Sequence, residues 1–390
     1  MLVYMRIGVH AKALSELQPT GVAVYARNLL SRMLALPAAQ AHEWILYTDG
    51  GIVENTKYQI SVPSDIEGQN IKYCLLRTPM LWTQVRLAWE LLRRAPDVFF
   101  TPQHVLPLTA PKRSVVTIHG LEYERYPQYY SWREFSYLRG VTKDAVRRSV
   151  RVIAVSETTK RDLVDLYRVP EEKITIIYHG TPSQLSSSGL TRGSIDSRRS
   201  LPRVRSRGGN DNKNPYFLFL GRIELKKNVD GVIRAFEIVK ERYKLSHKLI
   251  LAGGDGRGSK NIKYQISNIK YRDHIKLLGY VSKTEKYELL RGAEAFVFPS
   301  WYEGFGLPIL EAQSVGVPVI TSNISAMPEV GGRAALYADP ANPESIADAM
   351  RRVAEDQKVR DDLIATGYEN TKRFSWETCA RETLSVLAKL

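Results

Sequence analysis

Two periodicities alternate along the chain. Short unbroken apolar runs read as strands buried on both faces, and longer stretches with apolar residues three or four apart read as helices. The first set of runs is Arg6-Ile7-Gly8-Val9, Trp44-Ile45-Leu46-Tyr47, Ile71-Lys72-Tyr73-Cys74-Leu75, Asp97-Val98-Phe99-Phe100, Ser114-Val115-Val116-Thr117-Ile118, Arg151-Val152-Ile153-Ala154-Val155 and Ile174-Thr175-Ile176-Ile177-Tyr178. A second set begins at Tyr216-Phe217-Leu218-Phe219-Leu220 and continues through 248–252, 275–278, 295–298, 318–321 and 335–337. Between the runs the spacing predicts a helix carrying Tyr25, Leu29, Leu30 and Met33, and another over 81–94 with Trp82, Val85, Trp89 and Leu92 on or near one face. Further helices are expected over 157–167, 229–239, 283–291, 343–353, 361–368 and 376–389. Ser156 suits the N-cap of the first of these. This alternation predicts an α/β protein of two Rossmann-like, doubly wound sheets facing each other across a cleft, a common place for a ligand.

A chain of 390 residues is long enough for two such cores. The pattern divides it into a first domain over 1–185, a linker over 186–212, a second domain over 213–373 and a last helix over 374–390. The linker is rich in Ser, Arg and Gly and poor in apolar residues. Such a segment cannot bury enough surface to offset the entropy of ordering it.

Charge and cysteine content narrow the setting. The net charge is +15, with six Arg against two Asp in 186–212 and eight Lys or Arg against three acids in 133–161. A basic balance of this size points to nucleic acid, an anionic membrane surface or phosphorylated substrates. Within 133–161 the cations Arg133, Arg139, Lys143, Arg147 and Arg148 are interleaved with Phe135, Tyr137 and Leu138, and Trp132 precedes them. That mixture suits an anionic headgroup layer. No apolar run is long enough to span a bilayer, and the opening residues read as a first strand rather than a leader. Cys74 and Cys379 are far apart and lack metal-ligand spacing, so buried reduced thiols and a cytoplasmic protein are expected.

The candidate chemistry lies where strands end. The run 295–298 passes into Pro299-Ser300-Trp301-Tyr302-Glu303-Gly304-Phe305-Gly306-Leu307-Pro308, after which a helix holds Glu311. Glycines there let backbone N–H groups approach a ligand, and a helix start favours negative or electron-rich groups. The run 216–220 passes into Gly221-Arg222-Ile223-Glu224-Leu225-Lys226-Lys227, which places two cations beyond a strand end. Fixed cations of this kind can clamp a diphosphate. Ser114–Ile118 delivers His119 at its carboxyl end, where open α/β sheets bind ligands. A histidine there can donate to a sugar hydroxyl or a phosphate.

Taken together, these stretches resemble the retaining glycosyltransferases of family 4, which have the GT-B fold. Glu303 and Glu311 match that family's pair of glutamates separated by seven residues, and Arg222 and Lys227 match its Gly-Arg-x4-Lys pair. The resemblance covers nearly the whole chain. It implies transfer of a sugar from a nucleotide-diphosphate donor to an acceptor with retention of anomeric configuration. It also implies roles. Gly21 lies in the glycine loop against the donor diphosphate, although Ala23 replaces that loop's second glycine. His119 lies beside the donor sugar, followed by Gly120 where the family often has Asp. Arg222 and Lys227 neutralise the leaving diphosphate, and no metal or other cofactor is required. Tyr280 and Val281 lie near the nucleobase. Glu303 and the amides of Gly304, Phe305 and Gly306, leading into Leu307, hold sugar hydroxyls, and Glu311 receives the ribose hydroxyls. The stretch from Phe374 to Glu377 resembles the start of the helix that crosses back to the first domain.

GDP-mannose, UDP-glucose and UDP-N-acetylglucosamine all fit this pattern. The surroundings of His119 and the stretch Pro328-Glu329-Val330-Gly331-Gly332 look like bacterial polysaccharide mannosyltransferases, which favours GDP-mannose. The acceptor expected is a glycan or a polyprenyl-linked sugar, reached by a cytoplasmic enzyme held peripherally on the inner face of the membrane. Two other classes compete. A nucleotide-sugar epimerase or dehydrogenase would need Gly-x-Gly-x-x-Gly after the first strand, where this chain has a long loop with one glycine. Nucleic-acid binding has only the charge in its favour, with no known binding motif, so no nucleic-acid partner is expected.

Overall fold

The computed structural model describes residues 4–16, 20–49, 70–76, 82–181 and 215–390; the linker 186–212 lies outside them. The chain forms two compact units, Met1–Gly180 together with Phe374–Leu390, and Thr181–Arg373.

The first unit holds seven described strands: β1 (Arg6–His10), β2 (Glu43–Thr48), β3 (Ile71–Leu75), β4 (Val98–Thr101), β5 (Ser114–Ile118), β6 (Arg151–Ala154) and β7 (Ile174–Ile176). Their order is β3-β2-β1-β4-β5-β6-β7, and every pairing is parallel. Parallel strands covered on both faces need apolar residues throughout. β4 and β5 are accordingly buried along their whole length, whereas β3 at the edge is half-open. The helix Gly21–Met33 buries Tyr25, Leu29, Leu30 and Met33 at the expected spacing. It packs on the last helix, Trp376–Ala388, where Arg32 Nε reaches Glu377 Oε1 at 2.9 Å. Gly180 permits that packing, because a Cβ there would lie 2.1 Å from the backbone nitrogen of Trp376. Cys74 is half-buried and Cys379 buried, both as free thiols.

Two expectations for this unit change. The helix over 81–94 opens with a π-helical stretch, Trp82–Leu87, before the α-helix Ala88–Arg93. The wider turn rotates the faces relative to a regular 3.6-residue period. Trp82, Leu87 and Leu91 turn into the core, while Val85, Trp89 and Leu92 stay exposed, so the predicted single face is split. In the helix Trp132–Arg148, Phe135 and Leu138 pack against the core. Its cations are largely engaged internally. Arg139 pairs with Glu124 at 3.1 Å, Arg147 and Arg148 pair with Asp144, and Lys143 lies over the Tyr167 ring. Arg148 also donates to the carbonyls of Leu106, Pro107 and Leu108. Trp132 and Tyr137 remain exposed.

The second unit repeats the plan with β8 (Tyr216–Leu220), β9 (Lys248–Ala252), β10 (Ile275–Gly279), β11 (Ala295–Phe298), β12 (Val319–Ser322) and β13 (Leu336–Ala338). The order is β10-β9-β8-β11-β12-β13, again parallel. β8, β11 and β12 form the dry centre, with Phe217, Phe219, Phe296 and Phe298 all buried. The order reverses between β8 and β11. In sheets of this kind the crevice at such a switch point, beyond the carboxyl ends of the strands, is where ligands bind.

Candidate functional site

The loops that leave β8 and β11 flank that switch point, and they carry most of the candidate residues. After β8 the backbone makes a short 3-10 turn over Leu225–Lys227 and ends at Asn228, which is left-handed at φ 57°. Asn228 is completely buried, and its Nδ2 donates to the carbonyls of Pro299 at 3.1 Å and Pro340 at 2.8 Å. Trp301 N–H donates to Lys226 O at 3.2 Å. The lysine turn is therefore tied to the loop after β11 by both backbone and side chain. The consequence is a direct contact: Lys227 Nζ lies 2.5 Å from Glu303 Oε1, with both side chains less than one-fifth exposed. Arg222 stands apart from this pair. It is exposed, and among the described residues no acid pairs with it.

One glycine of the loop after β11 has a reason visible in the backbone. Gly306 has φ 100°, a left-handed conformation that side chains disfavour, and it caps the helix Leu307–Ser314. Pro308 occupies the first turn of that helix, where its missing N–H costs nothing. Gly304, Phe305 and Gly306 are buried. Glu311 sits one turn into the helix, almost completely buried, with its Oε1 2.5 Å from Lys286 Nζ. Lys286 belongs to the helix Lys283–Gly292, which starts with a Ser282/Glu285 capping box just after Tyr280 and Val281. Tyr280 is exposed and Val281 half-buried. Each glutamate of the pair thus has its own lysine.

The loop carrying Glu303 is also held from β12. Thr321 Oγ1 donates to Phe298 O at 2.8 Å, and Ser322 Oγ donates to Ser300 O at 2.6 Å. Ser325 Oγ donates to Glu303 O at 2.7 Å while accepting from Glu303 N at 3.2 Å.

In the first unit, Gly21 opens the helix Gly21–Met33 and is exposed. Among the described residues a Cβ at Gly21 would meet nothing within 4 Å. His119 lies at the end of β5 among other histidines. Its backbone N–H donates to His104 Nε2 at 2.9 Å, and its own Nε2 bonds Pro102 O at 2.9 Å. A carbonyl can only accept, so Nε2 carries the proton and Nδ1 is left as an acceptor. This differs from the expected donor role, because the donating nitrogen is occupied by the backbone. Burial pushes the His119 pKa down to about 3, and that of His10 down to about 4. Burial also lowers His104 and His179, with His119 adding to the effect at His179. His179 stacks on Trp376 with ring centres 5.7 Å apart.

Sequence reasoning placed Lys227 and Glu303 in one site, and the structure makes them partners. It did not single out Lys286, Asn228, Ser325 or the histidines around His119. The αL positions of Asn228 and Ser325, at φ 57° and 59°, leave no trace in an apolar pattern.

Known proteins share this organisation. The pattern described as Glycosyltransferase Family 4 matches residues 19–185, and that described as Glycosyl transferases group 1 matches residues 202–370. The O-antigen chain mannosyltransferase B of Escherichia coli is 28% identical over 376 residues, covering 94% of this chain and 95% of that protein. Sucrose-phosphate synthase from Thermosynechococcus elongatus has the same fold, with a TM-score of 0.70 at 19% identity over 97% of both chains. So does Anabaena HepE in complex with UDP-glucose, with a TM-score of 0.69 at 16% identity over 99% of this chain and 100% of that one.

Proposed function

Because the chain is a glycosyltransferase of the GT-B fold, related to the group 1 and family 4 enzymes, we propose that it moves mannose from GDP-mannose to a glycan or polyprenyl-linked acceptor with retention. The preference for mannose is supported by likeness along nearly the full length of a bacterial O-antigen mannosyltransferase. The observation that carries the chemistry is the contact of Lys227 with Glu303 at the switch point, with Arg222 exposed on the same loop as Lys227.

Breaking the anomeric C–O bond leaves an oxocarbenium-like sugar and a diphosphate of growing negative charge. Arg222 and Lys227 meet that charge. Preorganised charge of this kind is usually the largest catalytic contribution. Glu303 and the amides of Gly304 to Gly306 hold the sugar hydroxyls, and Glu311 accepts from the ribose diol. The route proposed is same-face rather than through a glycosyl-Glu303 intermediate. In that route the acceptor oxygen bonds C1 from the side the diphosphate leaves, and the acceptor proton passes to the departing phosphate oxygen. His119 Nδ1 accepts a sugar hydroxyl. Tyr280 and Val281 line the base end.

Among the described residues no helix is long and apolar enough to cross a membrane. Membrane attachment in this proposal is peripheral, through the exposed Trp132 and Tyr137 with Arg133 beside them. The test of the whole reading is a thermal-shift panel of nucleotides and sugar nucleotides, followed by turnover and NMR assignment of the product anomer. Saturation near a hundred times Kd stabilises by about 2.7 kcal/mol. GDP-mannose should give the largest shift, the product should keep the donor's anomeric configuration, and EDTA should leave turnover unchanged. A larger response to UDP-glucose or UDP-N-acetylglucosamine would overturn the donor, and an inverted product would overturn the route.

A further inference from the structure

Ser325 stands in a conformation that its side chain does not favour. It lies between β12 and the short helix Met327–Gly331 with φ 59°, in the left-handed region. For a residue with a Cβ this backbone costs free energy, and it persists only where the surroundings over-determine it. Glycine would occupy the position without strain. What serine adds is one oxygen, and the structure shows both of its hydrogen-bonding capacities in use. Ser325 Oγ donates to the Glu303 carbonyl at 2.7 Å and accepts from the Glu303 N–H at 3.2 Å. One hydroxyl thus grips the Glu303 peptide unit on both sides of its Cα.

This grip is the last rung of a series. Thr321, Ser322 and Ser325 donate in turn to the carbonyls of Phe298, Ser300 and Glu303. The first two rungs fasten the end of β11 and the start of its loop, next to the sheet. The third fastens the loop where it has left the sheet, and there no strand pairing is present to set its position. Glu303 meanwhile contacts Lys227 through its side chain. The backbone of Glu303 is fixed by Ser325 and its carboxylate by Lys227, from opposite ends of the residue.

We propose that Ser325 is a positioning residue for the transfer reaction: its hydroxyl, bonded to the Glu303 N–H and C=O, sets where the Glu303 carboxylate stands in the donor site. The proposal rests on the reading that Glu303 faces the donor sugar. It makes a distinctive claim about substitution by glycine. If the serine were there only to complete a turn, Ser325→Gly would be neutral or stabilising, since it releases left-handed strain. If the hydroxyl positions Glu303, Ser325→Gly keeps the fold and loses turnover. Misplacing a reacting group by about 1 Å costs on the order of a hundred-fold in rate.

The experiment is a cycle of Ser325→Gly, Glu303→Gln and the double variant in the full-length protein. It is read by kcat and KM with the sugar nucleotide that gives the largest thermal shift, and by amide hydrogen exchange of the peptide spanning 300–306. Expected are an unchanged or raised Tm for Ser325→Gly, a kcat lowered by about ten- to a hundred-fold with KM little changed, and faster exchange across 300–306. In the Glu303→Gln background the same substitution should cost less than about two-fold, because residues acting as a unit are not additive. Wild-type kcat in Ser325→Gly, or unaltered exchange across 300–306, overturns the proposal. Equal losses in both backgrounds overturn it while leaving the Glu303 reading intact. Full activity in Glu303→Gln overturns both.

Discussion

Arg222 and Lys227 should separate when each is cut to alanine, because of the two only Lys227 has an acidic partner among the described residues. Lys227 Nζ is 2.5 Å from Glu303 Oε1, and the two side chains are 18% and 13% exposed. An exposed ion pair contributes about 0–1 kcal/mol. Breaking a fully buried one costs about 3–5 kcal/mol, because a charge is left without compensation. The pair lies between these limits, so Lys227→Ala should destabilise its unit by about 1–3 kcal/mol. For a domain of this size each kcal/mol moves Tm by about 2–4 °C. Arg222 is exposed and lacks an acidic partner among the described residues. A surface substitution of that kind stays within about 0.5 kcal/mol. In turnover the two variants should look alike, since in the proposed reaction each removes a donor to the leaving diphosphate. Such a loss is worth about 2.7–4 kcal/mol, or a hundred- to a thousand-fold in kcat. Initial rates of nucleotide release and calorimetric unfolding measure the two quantities on the same samples. Adding Glu303→Gln to Lys227→Ala should recover part of the lost Tm and none of the lost rate. Near wild-type turnover in both single variants would refute the diphosphate clamp. An equal fall of Tm in Arg222→Ala and Lys227→Ala would refute the assignment of the stability difference to the ion pair.

Other expectations follow from single features. Glu311→Gln should raise donor KM more than it lowers kcat, since in the proposed role its carboxylate accepts two hydroxyls present in both ground and transition state; lost turnover at unchanged donor affinity would make it a catalytic group. The buried histidines of the first unit make its stability pH-dependent. Their folded pKa values are depressed, to about 3 at His119 and about 4 at His10, so they stay neutral in the fold while the unfolded chain takes up protons below about pH 6.5. Stability should therefore be level above that pH and fall as pH drops below it, by about 2.5 kcal/mol per pH unit near pH 5 from these two groups. A flat urea midpoint between pH 7 and 5 would contradict the burial of both rings. For the membrane, vesicle co-sedimentation should require anionic lipid and weaken in salt. It should fall on Trp132→Ala, Tyr137→Ala and Arg133→Glu, and equal recovery with neutral vesicles would leave an enzyme that works in solution.

The legible parts of this molecule are those where one local rule has no competitor. A run such as Phe217-Leu218-Phe219-Leu220 must be covered on both faces, and the glycine and basic loop that follows must lie at its carboxyl end. That Arg222, Lys227, Glu303 and Glu311 serve one donor is implied by the resemblance to family 4 and not by the strand ends alone; in the structure all four lie in the second unit. Strand order decides the rest, and order is not written locally. β8 and β11 are neighbours although β9 and β10 separate them in sequence, and it is this adjacency that brings Lys227 to Glu303. In the same way β1, β4 and β5 are adjacent, which gathers His10, Gln103, His104 and His119 from distant loops. Over 81–94 the helix is there, spanning 82–93, but the single face expected of it failed for a different reason. Its period was read as 3.6, and the π-helical stretch Trp82–Leu87 changes which side chains share a face.

Lys286 shows how far a pattern can carry and where it stops. It stands in the first turns of an exposed helix whose apolar positions are sparse, and by periodicity it is a solvated surface lysine. Only the approach of that helix to Leu307–Ser314 makes it the partner of Glu311, at 2.5 Å. Both glutamates of the proposed donor site are therefore already engaged in acid–lysine pairs, Lys227–Glu303 and Lys286–Glu311. A donor that brings a diphosphate to one lysine and hydroxyls to both glutamates must exchange these contacts rather than fill vacant ones. Its net binding energy is the difference between two sets of charged interactions. That difference is smaller and more sensitive to geometry than either set alone, so the residues that fix the backbone of Glu303 and the turn of Lys227 bear directly on how well the donor competes.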